Sequence, residues 1–108
     1  MPKQAEFSAK RKGDINEINV CSLLLKDGYE VFKNICCTGP VDLIIMKDNK
    51  TTLVDVKSVH QLKTLGSKET IKIYFGCKLT PIQKKLGVIL LGVHEGKLYW
   101  EEEIKDAI

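Results

Sequence analysis

The sequence predicts a single mixed α/β (α+β) domain, with a central mixed sheet flanked by helices, and two kinds of observation predict it. The first is size and composition. The chain has 108 residues, the usual size of one domain, and 44% of them are apolar, which is enough for one core. The second is patterning: apolar residues recur at helical spacing near the N-terminus, and short strand-like runs separated by turn residues fill the rest. We expect the order α-β-β-β-(β)-α-β-β.

The first element is a predicted helix. It begins at Ala9 or Gly13 and extends to Asp27, and Gly28 follows where a helix commonly ends in a left-handed residue. Residues 1–8 are expected to form a flexible arm. No apolar block with a cleavage site follows this basic start, and no run approaches the roughly 20 apolar residues that span a bilayer. We therefore expect a cytoplasmic protein without a membrane segment. The four cysteines form no C-x-x-C pair, and in a protein without an export signal we expect them to be reduced thiols.

The remaining elements follow from short apolar runs and turn residues. Thr80-Pro81 opens a short helix because proline is favoured at the first helical position. The stretch 59–70 has no clear period and is predicted to be a loop. The predicted elements are strands at 29–36, 41–46, 51–58 and 71–75, the helix at 80–86, a buried central strand at 88–93 and a closing edge strand at 98–100.

The most informative feature is an acidic pair on the predicted second and third strands. A four-residue loop at 47–50 makes Asp42 and Asp55 equally distant from the turn, so they lie opposite each other on one face, with Cβ atoms about 5 Å apart. Lys57 shares that face by alternation. Two carboxylates in apolar surroundings repel each other, and Mg²⁺ would offset this because it binds carboxylates together with water and phosphate oxygens. The alternative is a buried aspartate–lysine ion pair with Asp42 as a turn residue.

A glutamate on the first helix points to the same kind of site. On a helical wheel Glu17 lies inside an apolar stripe, and a glutamate on a core-facing stripe is rarely buried without a partner. The alternative is a glutamate stabilised by the helix dipole near the N-terminus. The stripe comprises Ile18, Val20, Cys21, Leu24 and Leu25.

These motifs resemble the PD-(D/E)XK nuclease superfamily, most closely its small Holliday-junction resolvase and phage or homing endonuclease branches. The resemblance covers roughly residues 10–95. It rests on Gly13-x3-Glu17, on Gly39-Pro40-Val41-Asp42-Leu43-Ile44 and on Val54-Asp55-Val56-Lys57. The third motif reads Asp-x-Lys instead of the commoner Glu-x-Lys, a variation that the family tolerates. The resemblance implies a restriction-endonuclease-like fold and Mg²⁺-dependent hydrolysis of DNA phosphodiesters, with Mn²⁺ as a possible substitute.

The resemblance also implies roles for individual residues. Glu17, Asp42, Asp55 and the backbone carbonyl of Val56 would hold one or two metal ions. Lys57 would position or activate the attacking water, either as a base or as an electrostatic clamp. Gln83 is a possible supporting residue, because similar nucleases often carry a glutamine on the helix after this strand. Thr80-Pro81-Ile82-Gln83 also reads as a plain capping box, and the two roles are compatible.

The charge distribution favours a polyanionic partner. Net charge is only +3, but residues 57–85 contain seven lysines against a single acid, Glu69. We expect the N-terminal arm and the predicted loop around 61–68 to hold DNA phosphates without reading sequence. The candidate DNA-binding residues are Lys10, Arg11, Lys12, Lys63, Lys68 and Lys84.

Three functions remain open at this point. The preferred one is a structure-specific endonuclease of the resolvase kind, because 108 residues leave little room for elements that read bases. The second is a sequence-specific phage or homing endonuclease, and the third, from another class, is a non-catalytic nucleic-acid-binding domain. Cutting two strands suggests a homodimer, with residues 88–100 or the first helix as the interface. No small-molecule cofactor is expected.

Overall fold

The computed structural model describes residues 8–36, 38–63 and 71–103. Two α-helices and seven strands occupy them, followed by a short 3-10 turn at Glu101–Glu103. The predicted arm at residues 1–8 lies outside this description except for Ser8. In chain order the elements are α1 Ala9–Lys26, β1 Glu30–Lys33, β2 Leu43–Lys47, β3 Lys50–Val56, β4 Val59–Lys63, β5 Ile71–Phe75, α2 Pro81–Leu86, β6 Ile89–His94 and β7 Lys97–Trp100.

The C-terminal end of α1 is closed at Gly28 as the sequence predicts, whereas the N-terminal end is capped by a residue that the sequence assigns to the flexible arm. Ser8 is the N-cap, and its side chain accepts a hydrogen bond from the backbone N–H of Arg11 at 3.2 Å. Gly28 adopts φ +90°, a left-handed conformation that costs a residue without a Cβ little. The N–H of Tyr29 then donates to the carbonyl of Leu24 at 3.1 Å, which satisfies a carbonyl of the last turn. Neither described helix is long and apolar enough to cross a membrane.

Five strands form a central mixed sheet in the order β1-β2-β3-β6-β7. The β3 and β6 strands pair in parallel, and the other neighbours are antiparallel. The continuous apolar run of β6 predicted a central strand, and β6 lies between β3 and β7 with Leu90, Leu91 and Gly92 buried. The β7 strand closes the sheet as its edge, as predicted.

The β2–β3 hairpin has the predicted register but a tighter turn. Lys47 and Lys50 pair directly, so the loop is only Asp48 and Asn49 and the predicted four-residue loop is wrong. These two residues have φ of +52° and +64°, as a two-residue hairpin turn that matches strand twist requires. The predicted four-residue loop and the observed two-residue turn have the same centre, so the predicted cross-strand pairing is kept, with Leu43 opposite Val54.

One face of the sheet packs against α1 and forms the larger core. Val20 and Leu24 of α1 are fully buried there. Ile18 and Leu25, which the sequence places in the same apolar stripe, are instead 63% and 59% exposed, because the sheet covers only part of the helix circumference. The buried sheet residues of this core are Leu43, Ile45, Val54 and Leu91.

The other face is partly covered by a second, two-stranded sheet formed by β4 and β5. The predicted loop over residues 59–70 is therefore wrong for β4, whose sequence lacks alternation but whose backbone pairs antiparallel with β5. Val59 and Phe75 pack against Leu90 in a smaller core. Gly92 permits this approach: a Cβ there would collide with a Val59 methyl and lie 2.7 Å from the carbonyl oxygen of Lys57. The strand β4 also makes the element order differ from the predicted one.

Candidate functional site

The acidic pair lies where β2 begins and β3 ends. Asp42 directly precedes β2, and its N–H donates to the carbonyl of Val54 at 2.9 Å. Its carboxylate Oδ2 accepts a hydrogen bond from the N–H of Val56 at 2.8 Å. Asp55, one residue earlier on β3, is only 4% exposed. The hairpin therefore brings the two predicted acids together and fixes the orientation of the Asp42 carboxylate.

Lys57 joins this pair from the chain that continues β3. Its N–H donates to the carbonyl of Leu91 at 3.0 Å, which extends the pairing of β3 with β6 by one residue. Its ammonium nitrogen lies 3.6 Å from Oδ2 of Asp55. The side chain of Lys57 is 36% exposed and that of Asp55 only 6%. Three of the four predicted catalytic residues thus form one cluster with an acidic interior and a basic rim.

The surroundings of Asp55 disfavour the ionised form of its carboxyl group. Burial, followed by the hydrogen bond with Asp42 and the negative charge of Asp42, raises the pKa of Asp55 to about 6. The positive charge of Lys57 and a hydrogen bond from Gln83 oppose this rise in pKa. Asp55 consequently holds a proton up to about pH 6 when no cation is bound.

The buried oxygen of Asp55 provides a test of whether a divalent cation fits here. Among the residues that the structure describes, Oδ2 of Asp55 has no hydrogen-bond partner. A buried carboxylate oxygen without a donor carries a desolvation cost, and Lys57 at 3.6 Å offsets only part of it. The ion pair matches the alternative reading of the sequence, yet it leaves the acid pair short of positive charge. Hard oxygen donors in this arrangement suit Mg²⁺.

Gln83 links α2 to the loop before Asp42. Its side-chain carbonyl accepts a hydrogen bond from the backbone N–H of Thr80 at 2.9 Å, and its backbone N–H donates to the Thr80 hydroxyl at 3.2 Å. These two bonds confirm the predicted capping box. Its amide nitrogen also donates to the carbonyl of Pro40 at 3.0 Å. Gln83 is 6% exposed, and it therefore positions the Asp42 loop as well as the helix end.

Glu17 is not part of this cluster. Its carboxylate lies 3.2 Å from the ammonium group of Lys33 at the end of β1, with 15% of the Glu17 side chain exposed. Burial and the nearby charge of Glu17 raise the pKa of Cys21, one helical turn further along α1. Across residues 8–36, 38–63 and 71–103, no three His, Cys, Asp or Glu side chains come close enough to hold a metal ion together. The role of Glu17 as a ligand, like that of the Val56 carbonyl, stays a prediction.

The candidate DNA-binding residues are dispersed. Lys10, Arg11 and Lys12 are exposed in the first turns of α1, and Lys84 is exposed on α2. Lys63 ends β4, and Lys68 lies outside the described residues.

A residue that is not a sequence-predicted site residue, Asn34, organises the loop beside the acids. Asn34 donates through its side-chain amide to the carbonyls of Thr38 at 2.6 Å and Val41 at 3.0 Å, and it accepts from the N–H of Cys36 at 3.1 Å. Lys33, which is also not a sequence-predicted site residue, pairs with Glu17 and so links the end of β1 to α1. An asparagine at the end of a strand-like run is a turn signal, but which carbonyls it meets depends on the folded loop.

Within the described residues, cavities lie near both ends of the sheet. One of about 230 Å³ lies at the ends of β1 and β2 and is lined by Phe32, Lys33, Asn34, Val41, Asp42, Leu43 and Ile44. A larger one, about 950 Å³, borders the β2–β3 turn and includes Tyr29 and Trp100, whose ring centroids are 5.9 Å apart. The larger cavity contains none of the three cluster residues, and the smaller one is lined by Asp42 but not by Asp55 or Lys57.

Comparison of the chain with protein-family models, with curated proteins and with solved structures found no match.

Proposed function

We propose that this protein is a Mg²⁺-dependent DNA endonuclease with a restriction-endonuclease-like fold, belonging to the PD-(D/E)XK nucleases. The observation that carries the proposal is the buried Oδ2 of Asp55 beside Asp42: within the described part of the chain it accepts no hydrogen bond, and its only charged partner there is Lys57 at 3.6 Å. An acid pair in this state needs more positive charge than Lys57 supplies, and a divalent cation would provide it while leaving positions for water and a substrate phosphate oxygen. The preferred activity is structure-specific, as in a Holliday-junction resolvase.

Asp42 and Asp55 would hold the cation, and Mn²⁺ would substitute for Mg²⁺. Such a cation, when bound, supplies Lewis-acid polarisation of a phosphate and lowers the pKa of bound water. Glu17 would join as a ligand only after exchanging its partner Lys33. The Val56 carbonyl, at the same end of β3, is the remaining proposed ligand.

The residues of the chain itself would contribute positioning and charge. The N–H of Val56 keeps the Asp42 carboxylate in one orientation, and Gln83 keeps the preceding loop in place through Pro40. Lys57, partly exposed, would place its positive charge against the negative charge that develops during phosphodiester hydrolysis. In the metal-free protein below about pH 6, a proton on Asp55 would remove its repulsion with Asp42.

Binding would rest on the lysines around the site. Lys84 is exposed on α2, the helix whose Gln83 contacts the Asp42 loop, so it lies on an element adjoining the acids. The other proposed phosphate contacts are Lys10, Arg11 and Lys12 at the start of α1, and Lys63 and Lys68. A homodimer would present two such sites to two strands, and the exposed Ile18 and Leu25 of α1 are the apolar residues available for that interface.

The test is a cleavage assay on a four-way junction, a flap, a linear duplex and a single strand, with Mg²⁺ and with Ca²⁺. The wild-type protein should cut in Mg²⁺ and prefer the junction or flap. Asp55→Asn should bind in Ca²⁺ with near wild-type affinity and not cut in Mg²⁺. Asp14→Asn, an exposed acid on α1, is the matched control and should cut normally. Full activity in Asp55→Asn would rule out this site, and equal cleavage of every substrate would leave a general nuclease.

A non-catalytic DNA-binding domain is the second candidate, and one observation favours it. Lys33 neutralises Glu17, and the described residues contain no preassembled three-ligand group. In that case the wild-type protein would bind DNA with a steep salt dependence and cut none of the substrates in either Mg²⁺ or Mn²⁺. A preference for one DNA sequence over all structures would instead identify the sequence-specific endonuclease.

A further inference from the structure

The chain between β1 and β2 is held by hydrogen bonds from one residue, Asn34. Its backbone N–H donates to the carbonyl of Asp42 at 2.9 Å. Its side-chain amide donates to the carbonyls of Val41 at 3.0 Å and Thr38 at 2.6 Å, and its side-chain oxygen accepts from the N–H of Cys36 at 3.1 Å. Asn34 therefore ties the end of β1 directly to Asp42 and to the residue before it.

Three successive backbone carbonyls, at residues 40, 41 and 42, each accept a hydrogen bond from a distant residue. The carbonyl of Pro40 accepts from the side-chain amide of Gln83 at 3.0 Å. The next two accept from the side-chain amide and the backbone N–H of Asn34. Residues 40–42 are only half-buried, so water could satisfy these carbonyls as well. What the protein bonds add is a single position for the backbone at Asp42.

The position of this backbone determines where the Asp42 carboxylate lies. Its Oδ2 accepts from the N–H of Val56 at 2.8 Å, a bond that requires Asp42 to stay in place at the start of β2. The neighbouring strand contributes one further bond, from the N–H of Asp42 to the carbonyl of Val54 at 2.9 Å. Mg²⁺ tolerates little departure from octahedral geometry, so a carboxylate that binds it gains affinity from being fixed in advance.

We propose that Asn34 is a positioning residue for Asp42: it holds segment 38–42 so that the Asp42 carboxylate is fixed, before any cation arrives, in the orientation that binds the cation. The inference rests on the proposed function for the cation alone, because the hold of Asn34 on the Asp42 carboxylate does not depend on it. The alternative is an asparagine that only stabilises the turn after β1. Its loss would then lower the stability of the protein and leave the carboxylate where it is.

Amide hydrogen exchange, followed by NMR in the metal-free protein, tests the hold on the carboxylate. In Asn34→Ala the N–H of Val56 should exchange on the order of 10-fold faster than in the wild-type protein, because its acceptor is the Asp42 carboxylate. The N–H of Lys57 is the internal reference, since it donates to the carbonyl of Leu91, and its exchange should change less. An unchanged rate at Val56, or equal acceleration at Val56 and Lys57, would overturn the inference.

Calorimetric titration with Mg²⁺, at a temperature where every variant is folded, tests the consequence for the cation. The decisive variant is Asn34→Asp, which keeps the shape of the side chain and the acceptor for Cys36 but replaces the amide donor with an oxygen. It also adds a negative charge to the cavity that Asp42 lines, and this charge alone would tighten cation binding. If Asn34 positions Asp42, the variant should instead bind Mg²⁺ on the order of 10-fold more weakly.

Leu98→Ala is the matched control for a general loss of stability. Leu98 is half-buried against the larger core on β7, the edge strand opposite β1. Its truncation should lower the free energy of unfolding but leave the Mg²⁺ affinity and the exchange of Val56 relative to Lys57 unchanged. Equal or tighter Mg²⁺ binding in Asn34→Asp than in the wild-type protein would overturn the inference. A wild-type protein that binds no Mg²⁺ would refute the proposed function, and the exchange rates alone would then decide whether Asn34 positions Asp42.

Discussion

Replacing Asp55 with asparagine removes a charge that the fold holds at a cost, and the size of that cost can be worked out. Burial and Asp42 raise the pKa of Asp55 from 3.8 to about 6. This change corresponds to about 3 kcal/mol between the protonated and ionised forms. The amide of asparagine resembles the protonated carboxyl, because it can donate a hydrogen bond to Asp42. Asp55→Asn should therefore raise the free energy of unfolding of the metal-free protein by up to about 3 kcal/mol at pH 8.

The sign of the pH dependence follows from which state binds the proton more tightly. Because the folded-state pKa of Asp55 lies above its unfolded value, the folded protein holds this proton up to about pH 6 and the unfolded chain loses it near 3.8. Wild-type stability should thus fall as pH rises from about 4 to about 6, and the penalty should be fully present above that. The advantage of Asp55→Asn should grow over the same window and then remain constant.

The assay is urea unfolding of both proteins between pH 4.5 and 8, without metal. For a domain of this size, 3 kcal/mol corresponds to roughly 13 °C in melting temperature, so thermal unfolding would also detect the effect. Asp14→Asn should change the free energy of unfolding by less than about 0.5 kcal/mol. Added Mg²⁺ should stabilise the wild-type protein and not Asp55→Asn. A difference between wild type and variant that is negative, or independent of pH, would refute the electrostatic reasoning.

Three further changes address other parts of the molecule. Gly92→Ala should lower the free energy of unfolding, measured in urea, by about 1–3 kcal/mol, because the new Cβ would lie 2.7 Å from a backbone carbonyl oxygen. Unchanged stability would contradict the packing of β4 on the sheet. If Glu17 is a metal ligand, Lys33→Ala should tighten Mg²⁺ binding measured by calorimetry, because it frees the Glu17 carboxylate. This gain in affinity should vanish in a Glu17→Gln background. A gain that persists in that background would exclude Glu17 as a metal ligand. Lys84→Ala should reduce the log–log salt slope of duplex binding by about 0.9, whereas Lys26→Ala, on α1, should leave it unchanged; equal slopes for both variants would remove Lys84 from the DNA surface.

Local pattern determined most of the secondary structure. Capping residues, helical periodicity and turn residues act over a few positions, so α1, α2 and the long apolar strands could be predicted with correct type and nearly correct bounds. The pairing of β2 with β3 could be predicted as well, since a tight turn determines which residues face each other, even though the turn has two residues and not four. That register alone predicts that Asp42, Asp55 and Lys57 lie together on one face of the sheet, without any tertiary contact.

Other features depend on contacts between distant segments, and only the tertiary structure decided them. The strand β4 exists because β5 pairs with it, and its own sequence does not alternate. Glu17 was predicted from its place on a helical stripe, but the partner it meets is Lys33, which a different element supplies. The same holds for Gln83, whose capping box is readable from four residues but whose bond to Pro40 spans 43 positions. The sequence by itself determined which residues face one another across a short turn, because chain geometry limits the choices there. The partners of buried charged side chains were decided only by the tertiary structure, because any part of the chain can reach them once it is folded.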